Sequence, residues 1–404
     1  LYRTGLGITV NSRISQRYLL LGSYYDHALS QMSLAYKHYI GVDGFPHDLE
    51  VASAYYRYAA VQSNRLLVEH NEVDTHSEAV RLDKGEDLDN YRGPDSNWFS
   101  WLKHQAKRGV TDAQSALGEV FYYGSRGFRR NLTKAAEFYE MGANRGDAQM
   151  LFNLGVVKLR GQGVTVDAEE ARNLLKKSAE LGFAPAYNAL GYYELNVREN
   201  KSGAIAYFRF AAEKEDRDGL YNLGFALENG LTPGTVGDLK SAMPYYVSAA
   251  NKGHTGACVV AGDAFSLGQY VERDFRISII FYKFVADQIP EIGLHLRNGL
   301  DAYFEKGWYQ SLLYYLLVAE TGMEIAQYNA ALLCEWDLKR ISQHTHVDCA
   351  WRYYNHAAKL EWVPSLIKTG DNHWYGITAE KNVTTAAKLY SRAATKEQNP
   401  QAIY

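Results

Sequence analysis

The chain has 404 residues, 47% of them hydrophobic and 22% charged, with a formal net charge of −3. So neutral a balance supplies no global attraction to phosphate backbones or anionic lipid, and implies neither nucleic acid nor a membrane surface as partner. No run of about twenty apolar residues occurs, so no segment reads as a membrane-spanning helix.

Residues 1–27 hold Gly5, Gly7 and the β-branched Ile8-Thr9-Val10, then a predicted helix over 15–21. They read as a lead-in to an upstream region. The chain starts at Leu1 without a charged-then-apolar leader, as an excised or matured segment would, so any leader or anchor is expected outside it. Residues 28–60 form the first helical unit. Leu34, Ala35 and Ile40 make one stripe, Gly41-Val42-Asp43-Gly44 turns the chain, and Ala52, Tyr55, Tyr56 and Ala59 return it, with Asp48 placed as N-cap. Residues 61–95 break the period. Between Glu69 and Asp95 stand nine acidic residues against three basic ones, which predicts an inserted acidic loop ending at Gly93-Pro94 and followed by a helix over 96–107. A solvated loop and a cation-binding or partner-binding lid around Asp83, Glu86, Asp87 and Asp89 are the two readings, although the twelve-residue calcium-loop pattern is missing.

From Ala113 one unit recurs. Leu117-Gly118 and Leu154-Gly155 stand 37 residues apart, and Leu190-Gly191, Leu223-Gly224 and Ala261-Gly262 mark later first helices. Each second helix carries a pair of large residues: Phe138-Tyr139, Leu174-Leu175, Tyr207-Phe208, Tyr245-Tyr246, Phe281-Tyr282, Tyr314-Tyr315, Tyr353-Tyr354 and Leu389-Tyr390. Their spacing averages about 36 residues, the period of stacked helical hairpins. Within one copy, Met150, Leu151, Leu154 and Val157 form an apolar stripe, and Gly155 lets a neighbouring helix approach closely. Gly161 and Gly163 allow a tight reversal, Asp167 with Glu170 suggests a capping box, and Gly182 closes the helix. Residues 96–404 therefore read as a continuous array of about eight repeats. The turn at Leu231-Thr232-Pro233-Gly234-Thr235 is lengthened, and the array is open where another first helix would begin at Gln401-Ala402. The fold class is all-α, a solenoid of helix-turn-helix repeats. The 32 tyrosines are expected to pack their rings inward with hydroxyls at the wet edge.

Three cysteines occur, Cys258, Cys334 and Cys349. In the repeat frame Cys334 ends one helix and Cys349 begins its partner, so their side chains can meet across the loop mouth as a disulfide, which belongs to an oxidising compartment. Three acceptor sequons point the same way: Asn131-Leu132-Thr133, Asn200-Lys201-Ser202 and Asn382-Val383-Thr384 all fall at inter-helix turns, where a glycan is exposed. His344, His346 and Asp348 make the only compact ligand-like cluster, read either as a zinc site or as a polar loop closed by the disulfide. Cys258 stands four residues after His254, but no third group accompanies them as an orienting partner. The glycine-rich turns lack a lysine in phosphate-loop spacing, so no nucleotide is implied. The sequence assigns no catalytic, cofactor-binding or metal residues.

The pattern of Ala-x-x-x-Leu-Gly, a Gly-x-Gly-Val turn, Asp, and then Ala-Ala-x-x-Gly resembles the sel-1-like repeat, a relative of the tetratricopeptide repeat, over about residues 34–394. The resemblance implies a right-handed superhelical solenoid. Trp101-Leu102-Lys103-His104-Gln105-Ala106-Lys107-Arg108-Gly109, residues 319–331, Leu333-Cys334-Glu335 and Asp348-Cys349-Ala350-Trp351-Arg352 resemble the sel-1 homologs of the secretory pathway beyond the bare repeat. That branch implies the lumenal or extracellular part of a single-pass membrane protein, with its anchor outside this segment. In the wider family the best-understood member is the lumenal adaptor of an ER-resident ubiquitin ligase, which receives misfolded glycoproteins. The family carries no catalytic residues. The expected function is thus a non-enzymatic scaffold whose partners are proteins of a membrane or extracellular complex, with homo-oligomerisation left open. The alternatives are a degradation adaptor, or a lumenal metal-binding or catalytic protein using the acidic insertion or the His344/His346 loop.

Overall fold

The computed structural model describes residues 2–4, 8–69, 78–231, 236–337 and 346–397. Gly5, Gly7, the turn residues 232–235, Glu72, Asp74, His344, Gln401 and Ala402 lie outside them. Among the described residues the secondary structure is helical, without a strand.

The expected hairpins form: Ala28–Ile40 with Leu49–Glu69, Thr111–Tyr123 with Leu132–Ala143, Ala148–Arg160 with Ala168–Glu180, Ala184–Asn196 with Lys201–Glu213, and Arg217–Glu228 with Leu239–Asn251. Thr255–Leu267 with Phe275–Ala286, Pro290–Phe304 with Trp308–Ala319, Glu324–Asp337 with His346–Lys359, and Val363–Tyr375 with Val383–Glu397 complete the series. Helix Ser12–Tyr24 is longer than its sequence stripe because Asn11 caps it by accepting from the Ile14 amide at 3.0 Å. Before Asn97–Lys107, Ser96 does the same for Phe99 at 2.9 Å.

One hairpin shows the local logic. Met150, Leu151, Leu154 and Val157 are buried, Gly161 takes φ +68°, and Asp167 accepts from the Glu170 amide at 2.9 Å. Glu170 supplies half of the expected capping box, since its carboxylate pairs with Lys158 across the hairpin. A Cβ on Gly155 would stand 2.9 Å from Cγ of Leu175, so the bare backbone is what lets the two helices meet. Gly191 lies under the ring of Phe208, Gly262 under Tyr282 and Gly370 under Tyr390, each about a hydrogen's reach from a clash, with 2.5 Å from the added Cβ to the ring. The second member of the large pair is therefore the residue that fills the glycine's notch, while in the hairpin of Tyr353-Tyr354, Ala331 stands where the glycine would be. In four hairpins its hydroxyl meets a carboxylate of the same hairpin: Tyr246 with Glu228 at 2.5 Å, Tyr282 with Asp263 at 2.5 Å, Tyr354 with Glu335 at 2.7 Å and Tyr390 with Asp371 at 2.8 Å.

The chain divides into two compact units. A terminal unit comprises Leu1–Ser63, Ser77–Leu88 and Ala286–Tyr404, and a middle unit comprises Asn64–His76 and Asp89–Val285. In the terminal unit the first hairpin packs against sequence-distant helices, not only its chain neighbours. Tyr36 fills the space over Gly322, and Lys37, 2% exposed, pairs with Glu320 at 2.7 Å and Asp43 at 3.1 Å. Arg352 reaches the same two carboxylates at 3.0 and 2.8 Å, and Tyr353 donates to Glu320 at 2.7 Å. Burial alone would raise the Glu320 carboxyl, but Lys37 and Arg352 hold it well below its usual range. Part of the acidic insertion also packs in this unit, where Glu78, Val80, Leu82 and Leu88 are buried. Residues 78–82 are thus anchored by alternate side chains, residues 83–87 are exposed, and Leu88 is buried again.

In the last turn of Glu324–Asp337, Cys334 is joined to Cys349 in the first turn of His346–Lys359, with Cα atoms 6.0 Å apart.

A groove lined by the first helices of the middle unit

The first helices of four successive hairpins in the middle unit line one groove of about 380 Å³. Glu119, Tyr122 and Tyr123 come from Thr111–Tyr123, and Phe152, Asn153, Val156 and Arg160 from Ala148–Arg160. Asn188 and Tyr192 come from Ala184–Asn196, and Arg217 and Asp218 from Arg217–Glu228. Thr111–Tyr123 lends positions after its Leu-Gly, Ala148–Arg160 positions on both sides of it, and the next two helices mainly positions before it, so the groove runs across the helices and each copy contributes a different stretch. Tyr123 and Tyr192 remain 49% and 54% exposed, and the Tyr123 ring meets the edge of Tyr122 with centroids 4.9 Å apart.

Polar groups are set between the rings. Asn222 donates to Asn188 Oδ1 at 2.8 Å, Gln149 to Glu119 at 3.0 Å, and Tyr122 to Gln162 at 2.9 Å. Arg217 lies 3.3 Å from Asp218. Burial raises the Glu119 carboxyl above its ordinary value, with the Gln149 bond opposing, and burial likewise raises the Tyr123 phenol. Such a lining, with apolar rings, side-chain amides and balanced charges, is equipped to hold another chain by contact and hydrogen bonding.

The residues singled out in the sequence are placed as follows. Asn131, Asn200 and Asn382 are exposed N-caps, accepting from the amides of Lys134, Gly203 and Thr385 at 3.0, 3.1 and 2.9 Å. His254 is also an N-cap, accepting from Ala257 at 3.1 Å, and its ring stacks on Tyr221 with centroids 4.0 Å apart. Cys258 points to the Ala250 carbonyl at 3.5 Å, and burial pushes its thiol up to about 12. A nucleophile needs the opposite shift. Asp83 accepts from Arg81 and, at 2.7 Å, from Tyr328. The side chains of His346 and Asp348 lie, like His344, outside the described residues. Among the described residues no group of three or more His, Cys, Asp or Glu is arranged to hold a metal ion, and no helix is long and apolar enough to cross a membrane. Sequence reading missed the groove amides. Asn153-Leu154-Gly155 shares its pattern with Asn222-Leu223-Gly224, whose Asn222 holds Asn188, but Asn188 itself stands three residues before Gly191 and carries no such signal.

The Sel1 repeat model matches residues 28–64, 111–147, 148–183, 184–216, 217–254, 256–288 and 363–397, more than half of the chain. The chain belongs to the Sel1 repeat family. Repeats of this family build scaffolds for protein–protein interaction. The chain is similar to the ERAD-associated E3 ubiquitin-protein ligase component HRD3B of Arabidopsis thaliana, 26% identical over 93% of this chain and 56% of that protein. It is also similar to the chitin synthase regulator SKT5 of Saccharomyces cerevisiae, 24% identical over 65% of this chain and 39% of that protein. With human protein sel-1 homolog 2 it is 35% identical over 33% of this chain and 19% of that protein. It therefore spans between a fifth and rather over half of these relatives.

Proposed function

We propose that this Sel1-repeat chain is a non-enzymatic scaffold of the secretory pathway or cell surface, and that a protein partner docks in the groove of the middle unit. The observation that carries the reading is the groove itself: exposed Tyr123 and Tyr192 stand among amides and paired charges, on helices fixed by buried glycine notches. The compartment is supported by three sequon asparagines on exposed caps and by the joined Cys334 and Cys349. In a cap the side-chain oxygen is engaged, and a glycan attached through Nδ2 leaves that bond intact, although at Asn200 the Nδ2 also donates to Glu194 at 2.9 Å. A role as adaptor in ER-associated degradation is the second reading, favoured by similarity to HRD3B along 93% of the chain.

The test is co-purification of crosslinked partners from native membranes. Tyr192→Glu is expected to remove them, while Ile280→Glu, on a second helix at 62% exposure, leaves them in place. Equal effects of the two would refute the groove. Glycosidase treatment tests the compartment, since one glycan at each of Asn131, Asn200 and Asn382 gives a three-step mobility ladder on partial digestion, whereas an unshifted band would remove this support.

A further inference from the structure

The terminal unit already holds an extended segment, its own, and the contacts show how a repeat of this chain grips one. Along residues 78–82 burial alternates: Glu78, Val80 and Leu82 are buried, while Ala79 is exposed and Arg81 half-buried. That is the period of an extended strand. The fully buried Asn329 spends its amide on the segment's main chain, donating to the Val80 carbonyl at 2.8 Å and accepting from the Leu82 amide at 3.1 Å. Tyr328 donates to Asp83 while Arg81 lies 4.7 Å over its ring, and Arg297 meets Glu78 at 2.8 Å. One asparagine thus reads a main chain, and its neighbours read alternate side chains.

The middle unit repeats this element. Tyr221-Asn222 stands six residues before Glu228, the acceptor of Tyr246, as Tyr328-Asn329 stands six before Glu335, the acceptor of Tyr354. Asn153 holds the same place relative to its notch glycine and opens into the groove. Among the described residues the Asn222 side chain donates to Asn188, which lines the groove one position earlier in its repeat than Asn153 does.

We propose that the groove of the middle unit takes an extended polypeptide segment through its main chain. Asn153 pairs with a backbone carbonyl and the amide two residues on, as Asn329 does with Val80 and Leu82, Asn188, held by Asn222, offers a second amide beside it, and Tyr123 and Tyr192 cover side chains of the segment. An acidic residue of the segment faces Arg160, which makes no ion pair among the described residues. This rests on reading the groove as a docking surface and names what docks there.

The probe is the synthetic peptide of residues 78–88, fluorescently labelled and titrated with the full chain, with binding read by anisotropy. Saturable binding is expected, weakened about tenfold by Asn222→Leu or Asn153→Leu, the loss of one good hydrogen bond each. N-methylation of the peptide's Leu82 amide is expected to weaken it similarly. Among the described residues the Asn153 side chain makes no hydrogen bond, so Asn153→Leu keeps the test valid if Asn222→Leu misfolds, and it separates this groove from exchange at Asn329. No binding, or binding indifferent to both N-methylation and Asn153→Leu, would overturn the proposal. If Tyr192→Glu still abolishes partner capture while N-methylation has no effect, docking in the groove stands and main-chain reading falls.

Discussion

At the scale of single residues, the hairpins depend on side chains that are absent or held neutral. Gly155→Val would push γ-carbons into a site where even a Cβ comes within 2.9 Å of Leu175 and 3.3 Å of the Ala171 carbonyl. Overpacking of this kind costs about 1–3 kcal/mol. A thermal midpoint lowered by several degrees is the expected result, and unchanged melting would mean that the helix crossing is misplaced. His356 is 8% exposed, and burial, aided by Arg352, lowers its pKa to about 3. The folded state keeps the ring neutral while the unfolded chain protonates near pH 6.5, so stability is complete above about 6.5 and falls as the pH drops toward 3. At pH 5 the linkage amounts to about 2 kcal/mol. The urea midpoint should fall between pH 7 and 5 in the natural chain and fall less in His356→Gln; parallel profiles would contradict this assignment. Glu320 and Asp43, whose folded pKa values are lowered, lose stability in the same direction but further into acid.

At the scale of elements, the period was legible because the large pair recurs through the array and a notch glycine faces it in most repeats, and such local packing leaves a local pattern. Asp48 and Asp167 were readable as caps for the same reason, and each caps the helix that follows it. What the sequence concealed was long-range. Nothing near Lys37 signals that its partner is Glu320, 283 positions away, and nothing in the acidic run signals that Val80 and Leu82 face Asn329. Charge composition suggested a solvated loop, but alternate apolar residues and one buried amide outweigh it. Asn329→Leu strands a buried amide and a buried carbonyl, each costing about 1–3 kcal/mol. Hydrogen exchange at Leu82 should rise sharply in that variant, and protection equal to the natural chain would show that the segment is held by its side chains alone.

At the scale of the molecule, the fold is a means of bringing side chains of successive repeats side by side. Successive first helices bring Tyr123, Asn153, Asn188 and Arg217 into one groove although 94 positions separate the first from the last. The catalytic and metal-site candidates have no such convergence among the described residues: His254 is a cap, Cys258 is buried with a raised pKa, and Asp83 is engaged by Arg81 and Tyr328. Binding is the task this geometry serves, and the groove is where it is expected. A photo-crosslinking amino acid placed at Tyr192, and separately at Ile280, measures this most directly when irradiated in native membranes. The account predicts discrete protein adducts from position 192 and none from 280; adducts from 280 alone would contradict it.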